Sequence, residues 1–287
     1  MSNNIKSIVS EDVSNKVVIL RADLNVPIVN GVVQDHTRLN RLIPTINYLL
    51  ENQSKLVICS HLGRPEAKFD ENFSLKPLKN VLSEITKTKV HFNSSCIGDE
   101  ALMKKKALER GEILLLENLR FHESEIKNDY DFANELSKGC DIFVNDAFSC
   151  SHRAHASTAG AITFSNDACA GLLLEEELNA LTKVKENSRN SVAILGGAKI
   201  STKLTLIDSL SKSMDKIILG GGIANTLIAA KGNEVGKSLV EESMLSEAAE
   251  LLENPKIIVP NFVIVSDNPD NPGRLTSIES IAKNEAI

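Results

Sequence analysis

The sequence lacks several features that would assign a function directly. Its five cysteines, Cys59, Cys96, Cys140, Cys150 and Cys169, form no CxxC pair and stand at no zinc-type spacing with histidine. Three of them lie in or beside apolar runs, where a buried, reduced thiol is the usual state. No apolar run approaches the roughly 20 residues needed to span a bilayer, and nothing ahead of the first strand reads as a secretory signal. Positive charge is not in excess: 32 Lys and Arg against 38 Asp and Glu leave a net charge of −6, which argues against a general nucleic-acid or membrane surface. No GxSxG, HExxH or EF-hand pattern occurs, and no dinucleotide fingerprint follows the first strand. Gly232–Ser238 imitates a P-loop, but its first Gly is one residue too close and the segment follows a helix, whereas a P-loop follows a strand. The expected compartment is the cytoplasm.

What is present is an ordinary globular composition, 42% hydrophobic and 24% charged over 287 residues, enough for one large or two medium domains. Four apolar runs in the first 155 residues end in polar or cationic groups. Val17–Leu20 leads to Arg21-Ala22-Asp23-Leu24-Asn25, and Lys55–Cys59 to Ser60-His61-Leu62-Gly63-Arg64-Pro65. Ile113–Leu116 leads to Glu117-Asn118-Leu119-Arg120, and Asp141–Val144 to Asn145–Phe148 and on to His152-Arg153. Such runs read as buried strands of a parallel sheet, and ligands of open α/β sheets bind outside the carboxyl ends of the strands. The pattern gathers Asp23, His61, Arg64, Arg120 and Arg153 around one crevice suited to a small, strongly anionic ligand.

Between the strands the periodicity predicts helices. Leu39, Leu42, Ile43, Ile46, Leu49 and Leu50 form an apolar stripe, with Asp35 or Thr37 as cap and Pro44 placed early enough to be tolerated. Arg38, in that helix's first turn, opposes the macrodipole; an exposed Arg without a task and a functional Arg are both open readings. Further helices are predicted near Leu75–Lys87, Asp99–Arg110 and Tyr130–Lys138, with a short strand at Val90–Phe92. The alternation implies right-handed crossovers. Helix Leu172–Val184 carries Glu175-Glu176-Glu177 on its wet side, a solvated face, and marks a domain boundary.

A second α/β pattern begins at Ser191–Leu195 and ends in Gly196-Gly197-Ala198-Lys199. The next helix carries Ile200, Leu204, Ile207 and Leu210 as its buried stripe. Lys199 and Lys203, four apart, are expected on one side of its first turn, where they are either a phosphate site at a Gly-rich helix start or a solvated lysine pair. Strand Lys216–Leu219 runs into Gly220-Gly221-Gly222, whose backbone can lie close to a flat ligand. Helices at Ile223–Lys231 and Glu241–Glu253, a strand at Lys256–Val259 and a Pro/Asn/Gly-rich turn at Asp267–Arg274 complete the reading.

Arg21–Pro27, Ser60–Pro65, Leu116–Phe121, Val144–Phe148 with His152-Arg153-Ala154-His155, Gly196–Lys203 and Gly220–Gly222 together resemble the motifs of the phosphoglycerate kinase family, in that family's order and over almost the whole chain. The resemblance implies two Rossmann-like, parallel-sheet α/β domains flanking a cleft: residues 1–170 for 3-phosphoglycerate, a linking helix at 171–190, and 191–287 as a nucleotide domain incomplete in this chain. By motif match it implies 3-phosphoglycerate binding by Asp23, Asn25, Arg38, His61, Arg64, Arg120 and Arg153. It implies nucleotide binding by Gly196, Gly197, Lys203, Gly220, Gly221 and Gly222, with Arg38 and Lys199 facing the phosphoryl group in flight.

The implied reaction is reversible transfer between ATP and the carboxylate of 3-phosphoglycerate, giving ADP and 1,3-bisphosphoglycerate in glycolysis. A carboxylate needs no deprotonation at neutral pH, so positioning and positive charge suffice. His61, His152 and His155 are therefore read as binding or scaffold residues. Mg2+ is expected to accompany ATP/ADP, its Asp lying in a segment beyond Ile287, and no metal ligand is assigned in this chain. That makes activity of these 287 residues alone doubtful. A monomer is expected, with no nucleic-acid or membrane partner. Ser149-Cys150 stands where the family commonly has Gly-Thr, a small change of little expected consequence. The alternative reading is a non-catalytic anion-binding protein that retains the 3-phosphoglycerate site.

Overall fold

A computed structural model describes residues 5–186, 190–268 and 270–287, and these form two compact units, residues 1–180 and 181–287. In the first, the apolar runs become strands β1 (Val17–Ala22), β4 (Lys55–Cys59), β5 (Val90–Asn93), β6 (Ile113–Leu116), β7 (Ile142–Asp146) and β8 (Asp167–Ala170), while Ile28–Val29 and Val32–Val33 (β2 and β3) make a small hairpin. The sheet order is β5-β6-β4-β1-β7-β8, and every pairing is parallel.

Alternate residues feed two cores, because side chains of a strand alternate between faces. Val18, Leu20, Leu56, Ile58, Ile113 and Leu115 pack with Leu39, Leu42, Ile46 and Leu49 of helix α1 (Thr37–Glu51) and Leu78 and Leu82 of α2 (Leu78–Thr86). Ile19, Val57, Cys59, Leu114, Leu116 and Phe143 face the other way, onto Phe132, Ala133 and Leu136. Those three belong to α5 (Tyr130–Ser137), which follows α3 (Asp99–Ala107) and the single turn α4 (Glu123–Ile126). Strands covered on both faces explain why these runs are continuously apolar.

Several expectations are corrected in detail. Pro44 lies in the interior of α1 rather than near its start, and α1 follows His36 with no side-chain cap, although Asp35 Oδ1 accepts the Thr37 N–H at 2.8 Å. Helix α2 starts three residues later than the periodicity suggests, and α3 stops at Ala107. Strand β8 was not foreseen. It follows the short helical segment Ala156–Gly160, α6 (Ala161–Thr163) and a turn, and it extends the sheet beyond β7. Its outer side is met by the chain start, where the Ala170 N–H donates to the Lys6 carbonyl at 2.8 Å.

Helix α7 (Leu172–Glu186) carries the chain across the boundary between the units. Residues 187–189 of the expected linking segment lie outside the described residues. The second unit has a parallel sheet of order β11-β10-β9, from β9 (Val192–Gly196), β10 (Lys216–Gly220) and β11 (Ile257–Ile258). Its helices are α8 (Leu204–Ser213), α9 (Gly221–Ala230) and α10 (Leu245–Leu252), the last preceded by a 3-10 turn at Glu242–Met244 where one continuous helix was expected. An unforeseen antiparallel hairpin, β12 (Phe262–Val265) and β13 (Arg274–Ser277), packs Val263 and Val265 into the same core as Ile217, Leu219 and Ile223. The predicted turn at Asp267–Arg274 is its connection, apart from Pro269, which lies outside the described residues. The P-loop imitation at Gly232–Ser238 follows α9 and packs on the final segment, with the Lys237 N–H donating to the Glu285 carbonyl at 2.7 Å. Among the described residues no helix is long and apolar enough to cross a membrane.

Candidate functional site

Strand β1 is flanked by β4 on one side and β7 on the other, so the chain leaves it in both directions across the sheet. That is a topological switch point, where the loops beyond adjacent strand ends part and leave a crevice. In register, Arg21 stands beside Cys59 and Ala22 beside Asp146, so the segments beginning at Asp23, Ser60 and Ala147 emerge together. Ser60 ties two of them: its hydroxyl accepts the Leu24 N–H at 2.9 Å and donates to the Ala22 carbonyl at 2.7 Å.

On this frame the acidic and amide groups aim the cations. Asp23 Oδ2 pairs with Arg38 and accepts the Ser149 hydroxyl at 2.7 Å. The guanidinium that opposes the α1 dipole thus has a carboxylate partner. The Gly63 peptide is held at both ends: its N–H donates to Asn25 Oδ1 at 2.8 Å and its carbonyl accepts Arg120 Nη1 at 2.7 Å. Gly63 sits at φ +60°, and a Cβ there would lie 2.3 Å from the Phe73 ring, so the loop needs glycine. Asn118 fixes the other side, donating to the Leu62 and Phe73 carbonyls at 2.7 and 2.9 Å and accepting the Leu62 and Arg120 N–H groups.

The cluster carries unbalanced positive charge. Burial first, then Arg21, Arg120, Arg38 and His155, push His61 down to about 2, so its imidazole is neutral. Burial, opposed by Cys150, and the cations Arg153 and Arg21 lower Arg120. Cations that repel one another in a half-buried crevice mark the place an anion would fill. Arg64 and Arg153 are exposed, and among the described residues neither guanidinium has a hydrogen-bond or ion-pair partner. The structure therefore joins Asp23 with Arg38, and Asn25 with Arg120 through Gly63. It buries His61 among them and leaves Arg64 and Arg153 unengaged. A cavity of about 850 Å³, lined among others by Phe69, Lys76, Phe92 and Lys104, includes none of these seven residues.

Arg21 was not among the expected site residues, although it is 1% exposed and its Nη2 stands 3.1 Å from His61 Nδ1. A lone Arg ending an apolar strand was the available signal, since charge is rarely buried unpaired. Glu125 and Ser157, which hold Arg21 from behind, had no local signal at all.

In the second unit Gly196 and Gly220 are register partners at the ends of β9 and β10. The Gly197–Ala198 backbone crosses directly against Gly221 and Gly222: the Ile223 N–H donates to the Gly197 carbonyl at 3.0 Å, and a Cβ on Gly222 would lie 2.5 Å from the Ala198 carbonyl oxygen. What lies close to the triple glycine is thus first of all another strand-end loop. A Cβ on Gly196 would meet nothing within 4 Å, so open space adjoins that strand end. Neither α8 nor α9 has a side-chain cap, and in the first turn of α9 the Ile223 N–H is taken by the Gly197 carbonyl.

Lys199 and Lys203 require a correction, because α8 starts at Leu204 and both lysines precede it. The reason is local. Glu241 accepts the Ser201 N–H and hydroxyl at 3.0 and 2.6 Å, and the Lys203 N–H donates to the Ile200 carbonyl at 2.9 Å, so residues 200–203 form a turn. These Ser201 hydrogen bonds hold Glu241 below the usual carboxylate range, with Lys199 nearby adding to the effect. Among the described residues no three His, Cys, Asp or Glu side chains converge as a metal site.

A cationic crevice at a parallel-sheet switch point in one unit, and glycine-rich strand ends in the other, fit a phosphotransferase built of two α/β units. The chain belongs to the phosphoglycerate kinase family, whose model matches residues 8–287. It is 42% identical over 288 residues to phosphoglycerate kinase of Prochlorococcus marinus (strain MIT 9515), covering 97% of this chain and 72% of that protein. It is 44% identical over 278 residues to that of Brucella melitensis biotype 1, covering 94% and 70%. The solved phosphoglycerate kinase of Coxiella burnetii superposes with a TM-score of 0.86 at 39% identity, covering 99% of this chain and 73% of that one. That of Pyrococcus horikoshii OT3 gives 0.82 at 30% identity, with 97% and 72% covered. The family's reaction is reversible phosphoryl transfer between ATP and 3-phosphoglycerate, a step of glycolysis, and the alternative of a non-catalytic anion binder is not favoured.

Proposed function

We propose that the first unit binds 3-phosphoglycerate through Asp23, Asn25, Arg38, His61, Arg64, Arg120 and Arg153, and that the second binds ATP or ADP. The observation that carries the first assignment is the convergence of strand ends at the switch point, with Arg38 aimed by Asp23, Arg120 held on the Gly63 carbonyl, and Arg64 and Arg153 left without an anion of their own. Arg64 and Arg153 offer free guanidinium forks, which suit phosphate and carboxylate oxygens bidentately. Neutral His61 serves as a hydrogen-bond donor and not as an acid or base, because the acceptor carboxylate is already ionised.

In the second unit Gly196, Gly197, Gly220, Gly221 and Gly222 bring backbone close to the nucleotide, and half-buried Lys203 neutralises its phosphates. Arg38 and Lys199 supply positive charge to the phosphoryl group as it passes between oxygens, the largest contribution available to a loose anionic transition state. Mg2+ would be held chiefly by the nucleotide phosphates, as is usual for this ion, and would neutralise charge there. A cytoplasmic monomer fits the composition. The unit boundaries proposed are residues 1–170, a linking segment at 171–190 that contains α7, and 191–287.

Calorimetric titration with 3-phosphoglycerate tests the reading directly. The chain should bind it and should bind glycerate, which lacks the phosphate, at least tenfold more weakly, since charge-assisted phosphate contacts are lost. Equal affinity for the two compounds would overturn the site assignment. An ADP-linked assay on the same material reads turnover.

A further inference from the structure

Behind the crevice lies a chain of four buried side chains that substrate binding alone does not explain. Glu125 is 0% exposed, and its two oxygens accept the Ser157 hydroxyl at 2.6 Å and the Ser157 N–H at 2.9 Å. The serine proton is thereby committed to the carboxylate, and an Oγ lone pair accepts Arg21 Nε at 2.9 Å. Arg21 spends Nη1 on the Ala22 carbonyl at 2.5 Å and directs Nη2 to His61 Nδ1 at 3.1 Å. A guanidinium has no acceptor atom, so His61 Nδ1 must present a lone pair and the single ring proton must sit on Nε2. Cys150 Sγ, 3.8 Å from the same Nδ1, can then only be a donor to it. The other titratable or charged groups around the imidazole are Arg38, Arg120 and His155, and they too oppose a second ring proton.

We propose that Glu125, Ser157 and Arg21 are positioning residues that fix His61 as the neutral Nε2–H tautomer, so that it meets the anionic substrate as an N–H donor without titrating in the working pH range. The proposal rests on the reading of His61 as a substrate residue. The carboxylate sets the direction of donation along the whole chain and compensates the buried guanidinium. An amide in its place can donate to Ser157 Oγ, which turns the hydroxyl proton against Arg21 and releases the hold on Nδ1.

Nitrogen-15 NMR of the imidazoles in the unliganded protein tests this. His61 should show a pyrrole-like Nε2 and a pyridine-like Nδ1, unchanged between about pH 5 and 8, the range where an ordinary histidine titrates. Glu125→Gln and the milder Ser157→Ala should each give mixed tautomers or a titrating ring. They should also raise KM for 3-phosphoglycerate roughly tenfold with kcat little changed, as for a lost charge-assisted hydrogen bond. A wild-type His61 that titrates in that range or carries its proton on Nδ1 would overturn the proposal. So would retention of the pure Nε2–H tautomer in both variants. If the tautomer and its response to both variants are as expected but saturating 3-phosphoglycerate leaves the His61 signals unmoved, it is the substrate reading of His61 that fails, so the two failures are told apart.

Discussion

At the scale of single residues, the crevice works by leaving cations under-neutralised. Arg38 is offset by Asp23, and Arg120 is spent partly on Gly63, but Arg64 and Arg153 remain unengaged. Arg64→Ala should therefore weaken 3-phosphoglycerate binding by about 1.5–3 kcal/mol, the range for a hydrogen bond to a charged group, with no change in thermal stability. Calorimetry showing undiminished affinity would remove Arg64 from the site. His61 makes stability depend on pH. Its ordinary value is 6.5, and in the folded chain it is held near about 2, so below pH 6.5 the unfolded chain binds a proton that the native state refuses. Stability must then fall as pH drops through the 6-to-4 interval, by up to about 1.4 kcal/mol per unit from this residue, and burial lowers His122 and His155 in the same direction. Urea unfolding at pH 7, 6 and 5 should show the first unit losing stability stepwise, with a shallower slope in His61→Asn; a flat profile would contradict the buried neutral imidazole. Most of these side chains were legible, because a His or Arg placed immediately after an apolar run has few structural reasons to be there. Glu125 and Ser157 were not legible, since they are distant in sequence and meet Arg21 only through the fold.

At the scale of elements, strands with continuous β-branched and leucine runs were found nearly to the residue, because burial on both faces writes an unbroken apolar signal. β8 escaped because Asp167-Ala168-Cys169-Ala170 is small-sided and lies at an edge, where less apolar surface must be covered. The β12–β13 hairpin alternates buried Val263 and Val265 with exposed Phe262 and Ile264, a period-two pattern that four residues state only weakly. The start of α8 was misplaced because Ile200 continues the helical stripe while Glu241, some forty residues on, captures Ser201 and makes a turn. Helix α3 shows a further limit. Its last turn carries Lys104-Lys105-Lys106, yet Lys105 is 1% exposed and its Nζ donates to the Leu136 and Lys138 carbonyls at 2.6 and 3.2 Å. That ammonium serves the orphan carbonyls at the C-terminus of α5 and complements its dipole. Lys105→Met keeps the volume but leaves both carbonyls without this donor, and should cost about 3 kcal/mol in denaturant unfolding. A loss below about 0.5 kcal/mol, the level of an ordinary surface change, would show that water replaces the ammonium there.

At the scale of the molecule, the two units differ in how their sheets end. In the first, β1 is paired on both sides and its residues from Val18 onward are buried, and the outer side of β8 is met by the Lys6–Ser7 segment. In the second, β9 pairs with β10 alone, and among the described residues no strand pairs with its other side. Side chains that would normally be covered stand in solvent there: Ile194 is 77% exposed, and Val192 is exposed beside it. In a parallel strand the N–H groups alternate between the two neighbours, so part of the β9 backbone has nothing to donate to but water. An exposed apolar edge of this kind is a template for another strand. Hydrogen exchange should therefore find slow amides throughout Val18–Ala22 and an alternation of fast and slow ones in Val192–Gly196. Ile194→Lys places a charge on that edge without removing a buried contact. It should raise the protein concentration at which light scattering begins, while changing unfolding free energy by no more than about 0.5 kcal/mol, as expected for a surface substitution. Protection of β9 equal to that of β1, together with association unaffected by Ile194→Lys, would mean that this edge is already occupied in solution.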